Sequence, residues 1–353
     1  MIILPNLPDL SNLPHIAVIG AGIAGLSCAT ALRHTGCHVS LFDKSRGPGG
    51  RMSTRQGDGW QCDHGAQYFT ARDPDFRAEV ARWEQAGAAA QWRPEMVRFD
   101  VDGARKRCGA ADRFVGTPRM TAPATFLAST LDLRTDAEIS ALRREHAGWR
   151  LQLEGGGLLA RRFDAVVLAV PAPQAASLLR DVAPLQAALA AGARMQGCWA
   201  MMLQYPAPLA LGFDAAFVNR GGLRWVARDS AKPGRGGSGE SWLLHASAEW
   251  SEAHIECDAA SVAALLLPEF AQLGGPAPER WSAHRWRYAS TANVRAENDV
   301  CSWDRGQAMG LCGDWLNGGT VEAAWLSGRA LAQRMVALTR HCGDIDSVST
   351  ACR

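Results

Sequence analysis

Lysine is almost absent from this chain. Of 37 basic residues only Lys44, Lys106 and Lys232 are lysines, and the rest are arginine. An enzyme that needs a catalytic lysine has three candidates, each in an unpromising place: Lys44 in a glycine-rich loop, Lys106 in an arginine-flanked surface stretch, Lys232 in a Pro/Gly loop. Tyrosine is equally scarce, with Tyr68, Tyr205 and Tyr288 the full set. There is little net charge (+2), so no strong field draws the protein to nucleic acid or an anionic membrane. No apolar run approaches 18 residues, which excludes an ordinary membrane-spanning helix. The ten cysteines form no CxxC, and Cys62-x-His64 has no second half that would make a zinc site. Nucleophile motifs, HExxH and a Walker loop are all missing. The first fifteen residues carry three prolines and no basic residue before their apolar stretch. They read as a loose extension, not a signal peptide, and the cysteines as reduced thiols in a cytoplasm.

What is present is a globular chain of 353 residues, 47% hydrophobic and 20% charged, long enough for about two domains. Residues 16–20, IAVIG, predict a strand buried on both faces. Gly20-Ala21-Gly22-Ile23-Ala24-Gly25 follows and opens a helix that Gly36 stops. A second strand, HVSLFD, ends in Asp43. In that context Gly20 permits the tight turn, Gly22 admits a pyrophosphate to the backbone and Gly25 brings helix and strand together. The helix N-terminus offers free N–H groups to the phosphates, and Asp43 suits ribose hydroxyls. The second glycine-rich stretch, Lys44 to Met52 with Gly49, Gly50 and Arg51, favours FAD over a nicotinamide cofactor. Near the other end, AMGLC predicts a buried strand, followed by Gly313-Asp314, a glycine-rich turn and a helix from about Thr320. That helix carries Glu322 in its first turn, where it suits the dipole. FDAVVLAVPAP at 163–173 supplies another buried strand.

These segments, with DHGAQYFTARD, SWLLHASAEWS, HRWRYA and GDWLNGGTVEAAWLSG, resemble the renalase-like proteins of the flavin-containing amine oxidase superfamily. The resemblance implies an α/β fold: a Rossmann-type FAD-binding domain of the glutathione reductase/amine oxidase kind with a second α+β substrate domain. The expected partition is 16–72, 117–181 and 300–341 for the FAD-binding domain and 73–116 and 182–299 for the substrate domain. The implied activity is an FAD-dependent oxidase that takes hydride from 2- and 6-dihydronicotinamide isomers of NAD(P)H and passes electrons to O2, giving H2O2. A flavin-dependent amine oxidase and a flavin-binding protein without turnover are the alternatives. Against the amine reading stand the absence of a lysine on a pocket-facing strand and Thr320 where a cage aromatic is expected. A dihydronicotinamide has no proton to remove, so its site needs stacking and orientation, not a base.

The resemblance places non-covalent FAD on Gly20, Gly22, Ile23, Ala24, Gly25, Asp43, Lys44, Gly50, Arg51, Met52, Ala66, Gln67, Ile139, Gly313, Asp314 and Val321. Candidate substrate contacts are Tyr68, His245, Trp286 and Tyr288, with His245 orienting the carboxamide or ribose. One or two of the second domain's tryptophans are expected over the flavin ring. Arg228, Lys232 and Arg235 in WVARDSAKPGR are candidates for the substrate's phosphates, with a solvated loop as the equal alternative.

Overall fold

The computed structural model describes residues 13–346 apart from 110, 147, 238 and 293–298, and side chains as far as Val336. Twelve of the fifteen residues read as a loose extension, and Ser238 of the PGRGGSG loop, lie outside the described residues.

A six-stranded sheet is built from β1 (His15–Ile19), β2 (His38–Phe42), β3 (Asp132–Arg134), β4 (Ala165–Leu168), β5 (Cys301–Asp304) and β6 (Met309–Cys312), in the order β5-β6-β4-β1-β2-β3. All neighbours run parallel except β5 against β6. Alternation along the strands explains why their sequences are apolar throughout. Ile16, Val18 and Val167 enter one core, while Ala17, Ile19, Val166 and Leu168 enter the core on the other face. Helix α1 (Ile23–His34) joins β1 to β2, and Gly36 at φ +95° lets the chain turn after it. Helix α2 (Val321–Asp346) lies against α1.

A seven-stranded sheet has the order Arg280–Thr291, Met195–Tyr205, Glu240–Ala246, Leu223–Arg228, Ala215–Val218, Met96–Phe99, Arg105–Arg107. One face packs on the helix Ala259–Ala271 through Val262, Leu266 and Phe270, which join Met201, Leu203 and Leu244. The other face, with Ala200, Met202, Trp225 and Leu243, joins the core of the first sheet. The two sheets thereby share one apolar interior and enclose the cavity described below. Among the described residues no helix is long and apolar enough to cross a membrane.

Close approach of α1 and α2 depends on glycine. A Cβ on Gly328 would lie 2.1 Å from the Ala24 carbonyl oxygen, and one on Gly25 would lie 1.9 Å from that of Gly20. Both contacts are to backbone, which cannot rotate aside. Gly328→Val therefore destabilises the fold by about 1–3 kcal/mol or more, read as a lowered urea midpoint. A midpoint equal to wild type would show that the helices can separate freely.

Candidate active site

A cavity of about 2700 Å³ opens beyond the carboxyl ends of β1, β2, β4 and β6. Typical small-molecule sites enclose about 300–1,000 Å³, so there is room for a dinucleotide and a second ligand. Fourteen of the sixteen residues expected to hold the cofactor line it: Gly20, Gly22, Ile23, Ala24, Asp43, Lys44, Gly50, Arg51, Met52, Ala66, Ile139, Gly313, Asp314 and Val321. Gly25 and Gln67 do not. Gly25 serves the helix–strand contact given above.

The two glycine loops are joined to each other. Gly49 N–H donates to the Ala21 carbonyl at 2.9 Å, and Gly22 and Gly49 form a parallel bridge. Gly22 caps α1 in extended conformation with no side-chain cap, so the first amides of the helix stay free at the cavity wall. A Cβ on Gly22 would meet nothing within 4 Å. This open cradle, with free amides beside it, fits the two phosphates of a dinucleotide. Asp43 accepts from Ala21 N–H at 2.7 Å and from Ser45 N–H at 2.8 Å, which orients its carboxylate at the end of β2. Arg51 pairs with Asp314 through both terminal nitrogens and donates to the Ala289 carbonyl at 3.2 Å. Three distant segments of the cavity wall are tied together there. Thr320 caps α2 by accepting from Ala323 N–H. Glu322 does more than complement the helix dipole, since its Oε1 accepts from the amides of Arg72 and Asp73 at 2.6 Å each.

Opposite the cradle, the wall is aromatic and held by one carbonyl. His64 O accepts from Trp286 Nε1–H at 2.8 Å and from His245 Nε2–H at 3.1 Å. The His245 partner is a carbonyl, so Nε2 carries the proton and Nδ1 the lone pair. Trp286 stacks on the His64 ring at 5.2 Å, and His284 meets both rings edge-on at 4.8 and 4.4 Å. Burial holds the His245 pKa down at about 4. Burial, the neighbouring His284 and Arg55 hold that of His64 at about 3. Both imidazoles are neutral at pH 7. Trp225, Trp286, Tyr288 and His245 all line the cavity. Strand pairing breaks register twice in this wall: Arg287–Ala289 face the single residue Gly197, and Arg224 is the extra residue of a bulge, as irregularities often occur beside binding sites.

Three expectations need correction. Tyr68 is off the cavity wall: it packs 5.6 Å from Trp225 and 6.4 Å from Trp92, with the Arg113 guanidinium 5.4 Å from its ring. Gln67 is turned inward because its amide is fully engaged. Nε2 donates to the carbonyls of Asp63 and Gly65, and Oε1 accepts from Lys232 Nζ and Trp225 Nε1. Lys232 and Arg235 are neither solvated nor in the cavity. Both side chains are sealed from solvent around Asp63, which is also sealed. Lys232 Nζ lies 3.1 Å from Asp63 Oδ2 and 2.7 Å from Asp229 Oδ1, and Arg235 binds Asp63 Oδ2 and the Gly116 carbonyl. Thr54 Oγ1 and Met120 N–H satisfy the other Asp63 oxygen. Burial alone would raise the Asp63 pKa, but Lys232 and Arg235 overcome it and hold the carboxyl well below the usual range. Burial, with Asp63 beside it, pushes the Asp229 carboxyl up. Arg228 is spent on Asp214 and Glu240.

Sequence reasoning passed over Arg55, His64 and His284, all of which line the cavity. The DHGAQYF and HRWRYA stretches contain both histidines, but nothing local shows that the two segments bearing them meet.

The comparisons with known proteins agree with this geometry. The model of the NAD(P)-binding Rossmann-like domain matches residues 18–83, and that of the flavin containing amine oxidoreductases matches residues 110–336. The chain belongs to the flavin containing amine oxidoreductase family. Within the curated proteins it is similar to mouse renalase, with 23% identity over 308 residues that cover 79% of this chain and 86% of renalase. Among solved structures, cyclohexylamine oxidase from Brevibacterium oxydans superposes with a TM-score of 0.72 at 13% identity, over 93% of this chain and 99% of its own. An Exiguobacterium protein assigned as a protoporphyrinogen oxidase gives 0.75 at 12% identity, over 91% and 98%. These likenesses carry the fold. Family membership makes the protein a flavin-dependent oxidoreductase.

Gly22→Val and Gly25→Val should separate binding from folding. The first points its Cβ into open space, so the variant folds and melts cooperatively as flavin-free wild type does, but purifies without flavin. The second collides with Gly20 and fails to fold. A yellow Gly22→Val protein would move the phosphates elsewhere.

Stability should also fall as pH drops from about 6.5 to 4. The unfolded chain protonates its histidines near 6.5, whereas folded His64 and His245 refuse the proton until about 3 and 4. His284 is lowered in the same direction by burial and Arg55. The unfolded state thus binds more protons in this window, and stability rises with pH through it. His15 is lowered as well, and Asp229 acts oppositely, being one raised carboxyl against four imidazoles. Urea midpoints at pH 7 and pH 5 measure the slope. Equal midpoints would mean the imidazoles are charged in the fold.

Proposed function

We propose that the protein is an FAD-dependent oxidase for the 2- and 6-dihydronicotinamide isomers of NAD(P)H, forming NAD(P)+ and H2O2. The observation that carries this is the composition of the wall opposite the cradle: Trp225, Trp286, Tyr288 and a neutral His245, without a lysine. Lys44 is the one lysine lining the cavity among the described residues, and it sits on the cradle side beside Glu138. Lys232 is sealed behind Asp63. The lining carboxylates belong to the cofactor side (Asp43, Glu138, Glu154, Asp314) or, as Glu249, to the exposed rim.

In this reading the non-covalent cofactor lies on the cradle of Gly22, Gly49 and Gly50, with Asp43 toward the ribose and the α2 N-terminus toward the ring edge. Bound FAD supplies the hydride acceptor and the route for both electrons to O2. The chain's own residues bind and orient. Trp286, locked by its bond to His64 O, gives a rigid face for a planar ring. His245 Nδ1 accepts from a carboxamide N–H, since its other nitrogen is already bonded. No residue on this wall is set to remove a proton, and hydride loss from a dihydropyridine requires none. The FAD-binding domain is assigned to 16–72, 117–181 and 300–341 and the substrate domain to 73–116 and 182–299. The likeness to mouse renalase supports the family resemblance on which the dihydronicotinamide substrate rests.

Anaerobic mixing with each donor, followed at the flavin band, tests the proposal. The 2- and 6-dihydro isomers should bleach the flavin rapidly and ordinary 4-dihydro-NADH slowly. A donor carbon misplaced by about 1 Å can cost ~10²-fold. In air, peroxide should accumulate one for one with NAD(P)+. Faster bleaching by polyamines or arylalkylamines would make the protein an amine oxidase. Preference for 4-dihydro-NADH would defeat both readings.

A further inference from the structure

We propose that the hairpin tip between Val218 and Leu223, with Arg220 and Arg224, is a charge filter at the mouth of the cavity that draws phosphate-bearing anions in and turns cationic amines away. The lining divides by charge. Around the cofactor residues the charges are close to balance: Lys44 lies 3.6 Å from Glu138, Arg51 is bound to Asp314, and Arg46 stands with Asp43 and Glu154. Away from them the lining carries Arg55, Arg119, Arg220, Arg224, Arg285 and Arg287 against one carboxylate, Glu249. Glu256, behind the wall, pairs with Arg285 and Arg287, and the other four arginines form no ion pair among the described residues. The half of the cavity left for a second ligand therefore holds the surplus of positive charge.

The backbone sets two of these arginines at the entrance. Residues two apart on a strand ordinarily share a face. Yet Leu223 joins the core under the helix Ala259–Ala271, while Trp225 joins the core shared with the first sheet. Arg224 is the extra residue between them, without a partner on Glu240–Ala246. The bulge thus turns the Trp225 indole to the cavity and adds an arginine at the rim. The Arg224 guanidinium donates to Asn219 Oδ1 at 3.0 Å, across the turn. Glu269 accepts from Gly222 N–H at 2.8 Å and from Leu223 N–H at 3.0 Å, and the Gly222 carbonyl accepts from Ser247 N–H at 2.7 Å. The tip is fastened on both sides. Glu269 and Glu249 are the acidic groups that face it, and the first has its oxygens occupied by those amides.

Arg224 and Gly221 are exposed and Arg220 is half-buried, so a ligand meets the tip before it reaches the aromatic wall. A cleft lined by one sign of charge focuses the field and concentrates the opposite ion. Guanidinium groups also match phosphate oxygens in geometry. An anion gains on entry and a polyamine loses. The choice of a dinucleotide as that anion rests on the function proposed above; the sign of the charge does not.

Flavin-loaded protein is titrated by calorimetry with ADP-ribose, which carries the substrate's diphosphate without its nicotinamide, and with spermidine as the cationic probe. ADP-ribose should bind and spermidine should not. Raising the ionic strength from about 0.01 M to about 0.1 M, which shortens the screening length from about 30 Å to about 10 Å, should weaken ADP-ribose. The double variant Arg220→Glu/Arg224→Glu should lose about ten-fold at the lower ionic strength, the scale of Coulomb energies over about 10 Å in water for two reversed charges. Its gap from wild type should narrow as salt is added. Arg220→Gln/Arg224→Gln should fall between the two and guards against a folding defect in the reversed variant; flavin content and melting temperature report on both. Glu249→Gln should move the affinity the other way, a gain that damage to the fold would not produce. If the reversed variant binds ADP-ribose as wild type does, if wild type prefers spermidine, or if it binds neither probe, the filter is refuted. If ADP-ribose follows the charges but the dihydronicotinamide isomers leave the flavin oxidised, the proposed substrate falls and the filter stands.

Discussion

The burial of Asp63 governs the shape of the cavity. Its carboxylate has no solvent, and neither do Lys232 and Arg235, which hold it. Removing one member of such a set leaves an uncompensated buried charge, at a cost of about 3–5 kcal/mol. The partners come from separate places: Thr54 on the adjacent strand, Met120 N–H before a short helix, and two cations from the loop after Leu223–Arg228. Asp63 is followed at once by the residues that face the cavity. Its fixation sets the His64 carbonyl, which in turn holds Trp286 and His245. Gln67 extends the same network to the Trp225 indole. An ionic knot outside the site thus determines where three cavity-lining rings stand.

The knot also keeps Lys232 out of the cavity. Lysine is scarce, and Lys232, the one beside the cavity's aromatic wall, is neutralised behind it. The wall keeps indoles, which stack, and neutral imidazoles, which also accept hydrogen bonds, and neither titrates at neutral pH. Positive charge in the cavity comes from arginine instead: Arg51 is matched by Asp314, and Arg285 and Arg287 pair with Glu256.

The elements legible in the sequence were those with local signatures. Strands β1, β2, β4 and β6 are short apolar runs beside glycine turns, and both helix starts carry their own punctuation in Gly22 and Thr320. The glycine loops and Asp43 face the cavity because backbone geometry, which sequence encodes locally, puts them there. Tyr68 and Gln67 sit in the DHGAQYF stretch and looked like ligand contacts. Their direction depends on Lys232 and Trp225, some 160 residues away, and no local pattern reveals it. The loop around Lys232 is rich in proline, glycine and charge, which reads as solvated. Its exposed residues are indeed the glycines Gly234, Gly236 and Gly237, while its charges turn inward to a carboxylate far off in sequence. Arg55 was silent for the same reason, since its partner His284 lies 229 residues further on.

The order of strands in the six-stranded sheet has a consequence for the chain's birth. β4 pairs on one side with β1 and on the other with β6, which lies some 140 residues further along the chain. Until those residues are made, β4 presents an open edge, and half the cradle wall, from Gly313 to Val321, does not exist. Long-range pairings of this kind form late and leave sticky intermediates exposed meanwhile. A nascent chain can fold α1 against β1 and β2 early, but it completes the wall around the cavity only once β6 and the start of α2 have been made. The edge that aggregation would otherwise find is closed by β6 itself.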